Sequence, residues 1–128
     1  MPLIRISVRA GQPPERRRAI ADAVHQALIE TVDAPADDRF QIVTEHAAED
    51  LIYDRHYLGI ARSDDIVFIQ IALRRGRPVA MKQALYRRIA ERLHAAAGVR
   101  PQDVFVTLVE NDLPDWSFGD GIAQYVKG

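Results

Sequence analysis

The chain has 128 residues, 48% of them hydrophobic, which suits one compact domain with a sizeable core. Seventeen basic against eighteen acidic residues leave a net charge of −1, so no global attraction to nucleic acid or an anionic membrane is expected. There is no cysteine, and neither an apolar h-region of the signal-peptide kind at the N-terminus nor an apolar run near the ~20 residues of a membrane span. Disulfides, thiol catalysis and cysteine metal sites are thereby excluded, and a cytoplasmic location is expected.

In chain order, Leu3 to Arg9 alternates, with Ile4, Ile6 and Val8 on one face and Arg5, Ser7 and Arg9 on the other, which predicts a strand. Pro13-Pro14-Glu15 opens a helix, because proline is tolerated in the first turn and an acid there suits the helix dipole. Ile20, Val24, Ala27, Leu28 and Thr31 keep helical spacing to about Val32, and residues 40–45 form a second strand. Residues 66–73 repeat the plan as a strongly apolar strand. Pro78 then opens a helix carrying Leu85, Tyr86, Ile89 and Leu93, Gly98 ends it, and residues 104–110 close as a strand.

The expected fold is therefore α+β, a duplicated β-α-β chain with a four-stranded mixed sheet and two helices on one face. Its single domain spans residues 1–128, with halves at about 2–46 and 65–110 and a C-terminal tail. Strands 66–73 and 104–109 read as apolar on both faces, and two helices cover only one. Another copy of the chain is the simplest cover, so a homo-oligomer is expected.

Pro2 becomes a free secondary amine once Met1 is removed, and a small second residue favours that removal. An unperturbed α-amino group has a pKa near ~8, so modest surroundings make it an acid or a base at neutral pH. The turn Leu73-Arg74-Arg75-Gly76-Arg77-Pro78 lies where a strand ends and a helix begins. Arg77 falls about at the helix N-cap, beside an anion-attracting terminus. Arg74 and Arg75 alternate across the strand, so only one of them should share a pocket with Arg77. The turn reads either as a carboxylate clamp or as a solvated basic turn. If the halves pair as a pseudo-two-fold, strands one and three run antiparallel, and Pro2 starts beside this turn.

Asp37-Asp38-Arg39 precedes the second strand, and a carboxylate there could orient water or a carbonyl, or serve as a turn residue or in a surface ion pair. Trp116 and Phe118 either wall a pocket or anchor the tail. His25, His46, His56 and His94 make no ligand spacing, so no metal site is expected.

The start Pro2-Leu3-Ile4, the segment Ala34-Pro35 with Asp38-Arg39-Phe40-Gln41-Ile42, the arginine turn and Asp115-Trp116-Ser117-Phe118-Gly119 together resemble the tautomerase superfamily, and within it the malonate semialdehyde decarboxylases. The resemblance runs from Pro2 to about Tyr125. It implies a homotrimer, no cofactor, a small carboxylate or keto-acid substrate and a catalytic Pro2. By the same resemblance Asp38, Arg75 and Arg77 are catalytic, Trp116 and Phe118 line the pocket, and Arg74 competes with Arg75 for its place. The expected reaction is decarboxylation of a short β-keto acid, with cationic Pro2 as the acid. The alternatives are keto–enol tautomerisation of 2-keto acids with Pro2 as base, hydration of unsaturated acids, and a non-catalytic oligomeric carboxylate binder.

Overall fold

A computed structural model describes residues 2–127. Its elements are strand β1 (Leu3–Arg9), helix α1 (Pro14–Val32), strands β2 (Gln41–His46) and β3 (Val67–Arg74), helix α2 (Val79–Ala97) and strand β4 (Val104–Asn111). They build one four-stranded mixed sheet in the order β2-β1-β3-β4. Each half is a parallel pair joined by a crossover helix, β1 with β2 and β3 with β4. The antiparallel β1–β3 pair joins the halves, with Leu3 opposite Ala72 and Ser7 opposite Phe68.

Alternation along the strands decides which side is buried. Ile4, Ile6 and Val8 of β1 and Val67, Ile69, Ile71 and Leu73 of β3 face the helices and are almost wholly out of water. They pack against Ile20, Val24, Ala27 and Leu28 of α1 and Leu85, Ile89 and Leu93 of α2 in one continuous core. Tyr86, expected with that helical stripe, is instead 38% exposed, because it lies one position off the Leu85–Ile89 face.

The strand ends differ from the sequence expectation by one residue. Phe40 lies outside β2 and contributes only its carbonyl, which accepts from the Ile4 amide at 3.0 Å. Arg74 and Asn111 extend β3 and β4 because they pair with each other across the ladder.

Among the described residues no α-helix lies over the opposite face of the sheet. Leu3, Ala72 and Val109 form one cross-strand row, and Phe68 with Phe105 another. Between those rows run Arg5, Gln70 and Thr107. This face is therefore mixed, more polar at its centre than the strand sequences alone suggest. No helix among the described residues is long and apolar enough to cross a membrane.

Candidate active site

The edge where β1 begins and β3 ends is also where the C-terminus of α1 and the N-terminus of α2 arrive. A cleft of about 730 Å³ opens there, lined on one side by Pro2, Leu73, Arg74, Arg75, Gly76 and Arg77. Leu28 and Val32 of α1 form the other wall with Ala34, Pro35 and Asp38, and Met81 and Tyr125 complete it. The antiparallel β1–β3 pairing accounts for this meeting, since it sets Leu3 against Ala72 and so carries Pro2 to the arginine turn. Pro2 itself is buried. Met1, whose removal would free the Pro2 nitrogen, lies outside the described residues.

The turn owes its shape to Gly76, whose φ of 118° is in the region that favours glycine. Before it, the Arg75 amide donates to the Asn111 carbonyl at 2.8 Å, prolonging the ladder by one bond. After it, the N-cap of α2 is Pro78, so Arg77 precedes the cap by one residue. This geometry sends the three arginines to different partners. The Arg75 guanidinium donates to Asp112 at 2.8 Å in a solvent-exposed ion pair. Arg77 folds back and donates from Nη1 to the Arg74 carbonyl at 2.9 Å. Among the described residues no carboxylate pairs with Arg77. Burial, and then the neighbouring Arg74 cation, hold its pKa below the usual arginine value, with Glu110 acting in the opposite sense. A half-buried cation beside a second cation is a place where an anion relieves unfavourable charge.

Asp38 is half-buried and stands across the cleft from the arginines. Its loop leaves α1 through Asp33, a left-handed C-cap with φ of 57° whose amide returns to the Leu28 carbonyl. The Asp38 amide closes a turn on the Pro35 carbonyl at 3.1 Å.

Trp116 and Phe118 stand one layer behind the cleft and are not part of its lining. Their rings stack at 5.5 Å and 5°. Phe118 also touches Phe40 at 5.8 Å and meets Tyr125 edge-on at 5.2 Å. The Trp116 indole N–H donates to Asn111 Oδ1 at 2.8 Å, anchoring the stack to the end of β4. The aromatic that lines the cleft is Tyr125, backed by this pair. Sequence reasoning did not single out Tyr125 or Met81. The signals available were an aromatic seven residues beyond Phe118 and an apolar residue in the first turn of α2.

Among the described residues no cluster of histidine, aspartate and glutamate could hold a metal ion. His25 is buried within α1, and His94 bonds the Val99 carbonyl at the end of α2.

Two family models, each described as a tautomerase enzyme, match residues 38–119 and 2–59. "Probable tautomerase YusQ" of Bacillus subtilis (strain 168) is 38% identical over 127 residues, covering 99% of this chain and 100% of the relative. The crystal structure of FG41 malonate semialdehyde decarboxylase inhibited by 3-bromopropiolate superposes with a TM-score of 0.90 at 47% identity, covering 96% of this chain and 93% of that one. A second malonate semialdehyde decarboxylase, described for decarboxylase and hydratase activities, superposes with a TM-score of 0.90 at 32% identity, covering 96% and 95%. The chain belongs to the tautomerase superfamily of enzymes. Within that superfamily it is similar to the malonate semialdehyde decarboxylases.

Proposed function

We propose that this enzyme decarboxylates a short β-keto acid of the malonate semialdehyde type, giving acetaldehyde and carbon dioxide, through the amine of Pro2. The observation that carries the reading is the meeting of a buried Pro2 with a half-buried Arg77 that lacks a carboxylate partner among the described residues. Similarity to two malonate semialdehyde decarboxylases supports the choice of substrate class.

The bond that breaks joins the carboxylate carbon to the methylene carbon. Its electron pair passes into the adjacent carbonyl, which becomes an enolate, and the methylene carbon then takes a proton. Negative charge thus leaves the carboxylate and appears on the carbonyl oxygen. Cationic Pro2 stabilises that oxygen by hydrogen bonding; in the covalent variant neutral Pro2 adds to the aldehyde and water leaves, giving an iminium that takes the electron pair and is hydrolysed after the methylene carbon is protonated. Arg77, with Arg74 beside it, holds the carboxylate so that the breaking bond aligns with the carbonyl π system. Arg75, already engaged by Asp112, keeps the tail in place. Asp38 orients the carbonyl or a water. Leu28, Val32, Leu73 and Met81 give the carboxylate an apolar surround that favours its conversion to neutral carbon dioxide.

The uncovered sheet face, with Phe105 and Val109 half-exposed, suits contact with further copies of the chain, and the family resemblance implies three.

A proton NMR time course of malonate semialdehyde with Met-processed protein tests the reading. Acetaldehyde forming well above the blank supports it. No turnover above the blank contradicts it and favours tautomerisation of a larger 2-keto acid by neutral Pro2, the class to which the name of the 38%-identical relative points. A carboxylate-binding protein without catalysis would keep its affinity when the amine is blocked.

A further inference from the structure

We infer that His25 is a positioning residue for the cleft, fixing Asp38 through a hydrogen bond to the middle of the loop that carries it. The inference rests on the role given to Asp38 above. His25 is 7% exposed, and with Asp103 it makes up the buried polar or charged side chains of the described core. A polar ring on an otherwise apolar helix face needs a partner, and its Nε2 lies 3.0 Å from the Ala36 carbonyl. A carbonyl only accepts, so Nε2 carries the hydrogen and donates.

Ala36 lies between Pro35 and Asp38, both of which line the cleft. The loop of residues 33–38 is tied at its start by the amides of Asp33 and Ala34, both returning to the Leu28 carbonyl. Just beyond its end, the Arg39 guanidinium donates to Asp22 at 2.6 Å and to Gln41 at 2.8 Å. Between these two anchors the His25 bond ties the loop to α1, beside the turn that the Asp38 amide closes on Pro35. His25 also shares its helix face with Leu28 and Val32, three and seven residues on, which form the wall below the loop. The ring that anchors Asp38 is therefore continuous with the apolar wall that the substrate meets. His25 touches no reacting atom; it acts through the position of Asp38.

A double-mutant cycle with H25F, H25Q and D38N reads this coupling. H25F keeps an aromatic of similar bulk but removes the donor, whereas H25Q retains an N–H. With malonate semialdehyde, H25F is expected to lower kcat about tenfold with KM little changed, since the arginines still hold the carboxylate. H25Q should recover most of that loss. In the D38N background H25F should cost less than about twofold, because the group it positions is gone. Amide hydrogen exchange at residues 36–38 should be faster in H25F than in the parent. Equal losses from H25F in both backgrounds, or parent-like kcat in H25F, would overturn the inference. A D38N protein with parent turnover would instead remove Asp38 from the reaction. Exchange alone then decides, and unchanged exchange in H25F overturns the positioning role.

Discussion

Arg75 and Arg77 lie two residues apart in the same turn, and their surroundings give them different chemistry. Arg75 is exposed and already neutralised by Asp112, so losing it removes a surface pair worth at most about 1 kcal/mol. Arg77 is half-buried, unneutralised and pressed by Arg74, so it contributes most when an anion arrives. R77A is therefore expected to lower kcat/KM by roughly 10- to 100-fold, the worth of a charge-assisted hydrogen bond. R75A should lose no more than about fivefold. Steady-state kinetics of the two variants side by side check this, and equal losses would return Arg75 to the substrate. P2A leaves a primary amine in place of a secondary one. Its kcat should fall about 100-fold or more, the usual share of a positioned acid or base, while circular dichroism stays that of the parent. Near-parent turnover in P2A would remove Pro2 from the chemistry.

At the scale of elements, alternation and helix punctuation carried most of the information. Ile4, Ile6 and Val8 alternate with Arg5 and Ser7, and the structure buries the first set and leaves the second on the uncovered side. Gly98 stops α2 at a φ of 67°, a conformation costly for a residue with a Cβ. G98A should accordingly lower stability by about 1 kcal/mol in denaturant melts, and a neutral effect would argue against that cap. L85A, at a fully buried site between helix and sheet, should cost about 2–5 kcal/mol.

The parts of the site that depend on long-range placement were less legible. The antiparallel joining of the halves was enough to bring Pro2 to the arginine turn. Arg74, Arg75 and Arg77 all line the cleft, and that Arg75 is already engaged by Asp112 is a contact to which strand alternation has no access. Trp116 and Phe118 were visible as an aromatic pair. That they back Tyr125 rather than line the cleft follows from how the tail folds on Phe40 and Asn111, which no periodicity reports.

Many of the charged side chains among the described residues are paired at the surface, and these pairs set the response to acid. The hydrogen bond from Arg39, then that from Arg18, holds the Asp22 carboxyl below its ordinary value against the opposing effect of burial. Hydrogen bonds from Arg55 and Arg9 lower Asp64, and one from Arg92 lowers Glu30. Folded values lie below unfolded ones, so this stabilisation is fully present above the ordinary carboxylate range. It is lost as pH falls through the depressed folded values. The melting temperature should be nearly flat from pH 7 to about 5 and fall below about pH 4, by less at high salt. A rise in melting temperature on acidification would contradict the pairing. None of these pairs lines the cleft, so stability and catalysis should respond to pH separately.

Pro2 ties these scales together, because the β1–β3 pairing sets it at the arginine turn and the proposed chemistry depends on its nitrogen. The most direct measurement compares malonate semialdehyde turnover by two preparations whose N-termini are verified by intact mass. One begins at Pro2 and the other retains Met1 or a short extension. If the amine does the chemistry, the processed protein produces acetaldehyde and the extended one is reduced to the blank, with both equally folded. Equal turnover by the two preparations would contradict the central claim.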